Sequence, residues 1–182
     1  MAVGETTIEI YLQSNPNITK TIKVTVSEKP VVDQGVPTGT GSLELNPANL
    51  GLTTTAYTGE IELGGVNFTV TDCKQSSQNF YLSKTTGSIY NTSSIGNITS
   101  VVVKYALPTS QKGSAAAQHG IKLSDTPLLS KPAAYDLSID ESGNGKADVV
   151  YTPETANQGY FRFDVLNDKN LQIAGIVINY AN

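Results

Sequence analysis

The sequence predicts an all-β protein, an antiparallel sandwich or barrel, and three observations predict it. Apolar and polar residues alternate with period two along much of the chain. Glycine- and asparagine-rich turn signals separate the alternating runs. Charged residues make up only 15% of the 182 residues, while Thr, Ser, Asn and Gly are abundant; that balance is commoner in strand-rich surface proteins than in cytosolic enzymes. The length suits one good-sized domain with an appendage. A domain of about 140 residues buries roughly two-thirds of its unfolded surface and needs no disulfide staples.

Residues 1–28 read as one β-hairpin. TTIEIYLQ is strand-like, SNPN turns the chain, and ITKTIKVTV is a second strand. Its apolar Ile18, Ile22, Val24 and Val26 are interleaved with Lys20, Lys23 and Thr25, and β-branched residues dominate. A two-stranded hairpin is marginal alone in water, so this piece is expected to pair with the following domain, another subunit or an upstream portion. Residues 29–42, KPVVDQGVPTGTGS, hold two prolines and three glycines with little apolar content and read as a linker.

Residues 43–182 read as one domain. Expected strands are 59–65, 66–73, 80–84, 98–107, 135–140, 147–152, 160–166 and 171–180. Ile61 with Leu63, then Val66, Phe68 and Val70, then Val101, Val103 and Tyr105, and finally Ile176, Ile178 and Tyr180 each line one strand face, the mark of half-buried antiparallel strands. The one helix-tolerant piece is SAAAQHGIKL, 114–123.

Two resemblances sharpen this picture. VGETTIEIYLQSNPNITKTIKVTV resembles the closing strands of a bacterial Ig-like domain of the group 2 type. The ordered phrases LGGVNFTV, GSIYNTS, GNITSVVVKY, LPTSQKG, GYFRFDV and LQIAGIVINY resemble a jelly-roll accessory domain of bacterial surface, secreted and phage proteins, over about residues 50–180. The resemblances imply an Ig-like β-hairpin followed by an antiparallel jelly-roll-like β-sandwich. They imply no catalysis, and they carry over no ligand-binding motif.

Charge excludes some partners. The net charge is −4, and 11 lysines with one arginine, Arg162, form no basic cluster, so there is no electrostatic footprint for a nucleic-acid backbone. No apolar run approaches ~18 residues, so no membrane-inserting helix is expected. The lone Cys73 has no partner for an internal disulfide.

The stretch DESGNGKAD, Asp140–Asp148, has half the spacing of a calcium loop. Asp140, Ser142, Asn144, the Lys146 carbonyl and Asp148 fall at positions 1, 3, 5, 7 and 9, with Gly145 at 6. Position 12 is Tyr151, which supplies no bidentate carboxylate, and the flanks are strands. The competing reading is a hairpin loop whose Gly143, Asn144 and Gly145 supply positive φ, with Asp140 and Asp148 facing each other across its base. A weak structural calcium ion is the only cofactor that the sequence suggests.

His119 and Cys73 are the only soft ligands, too few for a four-ligand zinc site. They could form a nucleophile pair, but Cys73 ends an apolar strand, where a small buried hydrophobe is the commoner role. Sixteen acids are spread without a signature and tryptophan is absent, so a carboxylate pair for glycoside hydrolysis has no sequence support. Tyrosines are better binding candidates because the ring is rigid and amphipathic. Tyr57, Tyr81, Tyr90 and Tyr160 lie near turns or strand ends, whereas Tyr105, Tyr151 and Tyr180 fit core alternation. Asn17, Asn67, Asn91 and Asn97 each begin an N-x-S/T sequon.

The expectation is therefore a non-catalytic, surface-displayed binding or adhesion module, extracellular or on a cell surface, contacting a glycan or a protein there. The alternative is a structural protein of a phage virion, a capsid decoration or head-fibre component, anchored or oligomerised through its N-terminal strands.

Overall fold

The computed structural model describes residues 4–12, 15–26, 39–105, 117–140 and 147–181, the first two segments as backbone. The chain divides into two compact units, Met1–Asp33 and Gln34–Asn182, with the division inside the glycine- and proline-rich stretch 29–42. In the first unit, β1 (Gly4–Leu12) and β2 (Asn15–Val26) form a two-stranded antiparallel sheet with Gly4 opposite Val26 and Ile8 opposite Ile22.

The second unit is all strand and turn among its described residues. Its elements are β3 (Gly41–Leu45), β4 (Tyr57–Leu63), β5 (Val66–Ser76), β6 (Asn79–Leu82), β7 (Ser88–Asn91), β8 (Asn97–Tyr105), β9 (Gln118–Ser124), β10 (Leu137–Asp140), β11 (Val149–Tyr151), β12 (Tyr160–Val165) and β13 (Leu171–Ala181).

The pairings are nested. β3 pairs with β13, β7 with β12, β8 with β11 and β9 with β10, all antiparallel. Such a set is a long ribbon folded back at the β9–β10 connection. Rolling that ribbon sets β13 beside β8 and β12 beside β9. The products are two four-stranded orders, β3-β13-β8-β11 and β7-β12-β9-β10, which is the strand order of a jelly-roll sandwich. The unit is thus the antiparallel jelly-roll-like sandwich expected.

Three strands, β4, β5 and β6, are inserted between β3 and β7, and β5 joins the layers. Its Phe68–Thr71 half pairs with β7, while its Cys73–Ser76 half pairs with β6, which in turn lies against β13. The bend falls at Asp72, whose φ is 47°, where the β4 ladder slips between Tyr57 and Gly59. The extra residue is a β-bulge that turns the strand. The Asp72 N–H donates to Thr58 Oγ1 at 3.0 Å, and its carbonyl accepts from the Ser83 N–H at 3.0 Å, so the bent backbone keeps its hydrogen bonds.

One apolar core fills the space between the layers. Val66, Phe68, Val70 and Cys73 enter it from β5, Phe161, Phe163 and Val165 from β12, and Leu171, Ile173, Ile176 and Ile178 from β13. The three-residue step between Ile173 and Ile176 breaks period two, and the β13–β8 ladder shifts there, between Ile173 and Gly175. Tyr105 is buried, and Tyr151 and Tyr180 pack against the core from its rim.

Two expectations need correction. The helix-tolerant stretch 114–123 contributes strand β9 from Gln118 onward, and 114–116 lie outside the described residues. His119, Ile121 and Leu123 alternate into the core and β10 and β12 flank the strand on both edges, so burial at period two overrides the helix preference of the alanine run. β10 and β11, which flank the stretch Asp140–Asp148, are not the paired arms of a hairpin: β10 pairs with β9 in one layer and β11 with β8 in the other.

Asp72 yields a sign-sensitive prediction. The left-handed backbone costs an L-residue about 1–2 kcal/mol, and glycine relieves that cost. Asp72→Gly is expected to leave the urea midpoint unchanged or raised. Asp72→Val, β-branched and intolerant of positive φ, is expected to lower stability by about 1–2 kcal/mol or more.

Candidate functional site

The outward face of the β7-β12-β9 layer holds a cluster of polar side chains centred on Arg162 and Asp164. On β12, Phe161, Phe163 and Val165 point into the core, so Tyr160, Arg162 and Asp164 point out. Arg162 and Asp164 are nonetheless buried, at 7% and 2% exposure. Their pairing is bidentate, with Nε to Oδ2 at 2.8 Å and Nη2 to Oδ1 at 2.9 Å. Arg162 Nη1 donates to the Leu128 carbonyl at 3.0 Å, and the guanidinium lies 4.5 Å from the Tyr90 ring centroid, a cation–π distance.

What buries the pair is the β9–β10 connection, residues 125–136, which runs across this face as a strap. Lys131 Nζ donates to the Val165 and Thr85 carbonyls at 3.0 and 3.2 Å. The Tyr135 hydroxyl donates to Asp164 Oδ2 at 2.9 Å, and the Asp136 carboxylate takes Lys122 Nζ and the Leu123 N–H. Gly120 makes room: a Cβ there would sit 2.6 Å from the Tyr135 ring. Burial, then the Asp164 charge, pushes the Tyr135 phenol well above its ordinary range, with Arg162 opposing. The hydroxyl therefore stays a donor.

The four candidate tyrosines do not converge. Tyr90 and Tyr160 share the outward face: Tyr90 is the cross-strand partner of Arg162, and Tyr160 lies two residues along from it. Diagonal neighbours of this kind are ~7–8 Å apart. Both are half-buried, and the buried guanidinium supports Tyr90 from the protein side. Tyr81 lies on β6 with Lys74 Nζ 4.8 Å from its ring centroid. Tyr57, 36% exposed, donates its hydroxyl to the Glu60 carbonyl at 3.0 Å and walls a shallow hollow of about 460 Å³ with Leu50, Leu52 and Ile61.

A second concavity, about 530 Å³, opens at the end of β9, where Ser124 is the ladder partner of Tyr160. Lys122, Ser124 and Asp125 at the end of β9 form one wall, and Thr155, Asn157 and Gln158 before β12 form the other. Asn91, fully buried, fixes the second wall. Its Nδ2 donates to the Gly159 and Ser93 carbonyls at 2.9 and 2.7 Å, and its Oδ1 accepts from the Phe161 N–H at 2.6 Å. The Asn157 N–H donates to Asn97 Oδ1 at 2.7 Å, with Asn157 held at φ 64°. Gly159 lacks the Cβ that would strike Ser94 Oγ. Burial of Asn91 also removes its sequon from solvent.

Of the calcium-like positions, Ser142, Asn144 and Lys146 lie outside the described residues. Asp140 is exposed on the edge strand β10, and Asp148 Oδ1 accepts from the Tyr105 N–H at 3.3 Å. Among the described residues no three His, Cys, Asp or Glu side chains group as a metal site. Cys73 is fully buried, and burial pushes its thiol up to about 12; a group held this way is a hydrophobe rather than a nucleophile. His119 is fully buried too, with Nε2 2.9 Å from the Tyr105 hydroxyl and its ring against Phe163.

Two outcomes test this account. Asp164→Leu alone strands the Arg162 charge and is expected to cost about 3–5 kcal/mol in chemical denaturation, while the double replacement Arg162→Met with Asp164→Leu recovers much of the loss. Second, the Cys73 thiol must stay protonated in the fold but ionises near 9.0 when unfolded. Its contribution is complete below that value and fades as pH rises toward about 12. Between pH 9 and 10 stability should fall with a component approaching about 1.4 kcal/mol per pH unit from this group. Cys73→Ala, compared by slope rather than by absolute stability, should flatten the profile.

Comparison with known protein families, with curated proteins and with solved structures finds no match. The functional reading therefore rests on the residues themselves.

Proposed function

We propose that this chain is a non-catalytic binding module displayed at a surface, and that its ligand is a glycan held on the outward face of the β7-β12-β9 layer. The observation that carries the reading is the pair Tyr90 and Tyr160, two half-exposed rings on one sheet face, with Arg162 fixing Tyr90 from beneath. Rigid aromatic platforms stack on the C–H faces of sugar rings at little entropic cost. Beside Tyr90 the sheet continues outward through Thr69 to Glu60 on the adjoining strands, which adds hydrogen-bonding groups for hydroxyls. The burial of Cys73 and His119 supports a role without nucleophilic chemistry.

The hairpin favours a second reading. β1 and β2 form a compact unit of their own, and a two-stranded sheet is marginal alone. Pairing with a neighbouring chain would complete it, as in a structural protein of a virion.

The glycan reading expects a monomer by light scattering that is retained on an oligosaccharide array, with retention falling roughly tenfold in Tyr160→Ala at unchanged melting temperature. A chain that is trimeric, or stable only with a partner, and retained on no glycan would favour the second reading.

A further inference from the structure

We propose that the cleft between the end of β9 and the 153–158 segment is a subsite for one neutral sugar ring, recognised through a vicinal pair of hydroxyls. The proposal rests on the glycan reading above and adds a place and a ligand class to it. At about 530 Å³ the cleft admits a small polar ligand.

Asp125, Thr155, Asn157 and Gln158 line it, and among the described residues none of these four side chains hydrogen-bonds another protein group. Together they offer a carboxylate acceptor, a hydroxyl, and two amides that both donate and accept. A sugar hydroxyl is itself donor and acceptor, so adjacent hydroxyls match a carboxylate or an amide in pairs. Tyr160 is the ladder partner of the lining residue Ser124 and is half-exposed on the same sheet face, one cross-strand step from the cleft.

Charge selects within the sugars. Lys122 is the one cation among the lining residues, and it is held in an ion pair with Asp136. Asp125 then leaves the cleft net negative, which repels uronates and sulfated sugars and tolerates neutral ones.

The wall is also organised in advance. Asn91 directs all of its described hydrogen bonds to the backbone of Ser93, Gly159 and Phe161. The Ile95 and Ile98 N–H groups bond the Gly159 and Gln158 carbonyls at 2.9 and 3.0 Å, and Asn157 is fixed in the left-handed region. The backbone of this segment is tied down while its side chains are unspent, so binding orders little that is not already ordered.

The test is a titration of the ¹⁵N-labelled full chain with methyl glycosides of glucose, mannose and galactose, with glucuronate and glycerol as controls. At least one neutral glycoside should give saturable shifts at the amides of 122–125 and 155–160, with glucuronate weaker and glycerol without saturation. Asn157→Gly, which keeps the left-handed backbone, and Gln158→Ala should each weaken binding roughly five- to tenfold at unchanged melting temperature.

Saturable shifts confined to the strands around Tyr90 overturn the cleft and leave the glycan reading standing, as does array retention that both variants keep in full; shifts confined to the Tyr57 hollow overturn the β7-β12-β9 face as well as the cleft. Glucuronate binding more tightly than any neutral glycoside overturns the ligand class. No saturable shift from any sugar, with no retention on the array, overturns the glycan reading as well.

Discussion

The outward face of the β7-β12-β9 layer depends on one buried ion pair. Arg162 and Asp164 are two residues apart on β12, so the pleat sets both on the same side. Removing two charges from water costs several kcal/mol per ion, and only good geometry offsets it. Here the carboxylate is met by two guanidinium nitrogens and the Tyr135 hydroxyl, and the guanidinium adds the Leu128 carbonyl and the Tyr90 ring. Three separate segments thus converge on one pair: the strap through Leu128 and Tyr135, strand β7 through Tyr90, and β12 itself. An apolar pair of the same volume would pack as well, but it would hold neither the strap carbonyl nor the phenol, and it would leave the strap's path across the sheet less defined.

The register assigns the sandwich two distinct ends. Ser124 lies opposite Tyr160, and Asn97 opposite Ala181, so the cleft, the Asn91 clamp and the start of β8 share one end. Asp140 lies opposite Gln118, and Asp148 bonds the Tyr105 N–H, so both acidic ends of the calcium-like stretch lie at the other. The strap leaves the cleft end at Ser124, and Lys131 reaches the Thr85 and Val165 carbonyls near the far end. The cleft is therefore anchored at one side by Asn91 and at the other by a strap whose pins lie along the whole face.

The sequence made the strands legible where alternation is uninterrupted. Val66, Phe68 and Val70, and Val101, Val103 and Tyr105, face the core as their spacing predicts. β9 was obscured because an alanine run precedes it, and because His119 looks polar until Tyr105 and Phe163 are seen around it. β3 and β7 are too short, at five and four residues, to show a period. The turn residues of Asp140–Asp148 signal a reversal but not its partner strand; nested pairing is a property of the whole roll and leaves no mark on nine residues. The site was the least legible part. Tyr90 and Tyr160 could be singled out, but not their meeting on one face, which depends on the β12–β7 register. Arg162 was visible only as the lone arginine, a residue costly to bury without a dedicated partner.

The sheet edges bear on where the proposed recognition would fall. An open strand edge presents unpaired backbone groups that pair with any extended chain. In the sandwich the path of strands ends at β10 and β11, which are only four and three residues long, and the chain itself joins them. β5 binds the two layers by pairing in both. Among the described strands of the sandwich β4 is the longest with one ladder partner, and it carries exposed Glu60 and Glu62 while the Tyr57 hydroxyl occupies the Glu60 carbonyl. Like charges and a capped carbonyl both discourage strand addition. With its edges short, joined or guarded, the sandwich offers a partner side chains rather than backbone. Side chains on a pleated face and a rigid loop suit a ligand that brings its own hydroxyls and flat C–H faces, and they suit an extended peptide poorly.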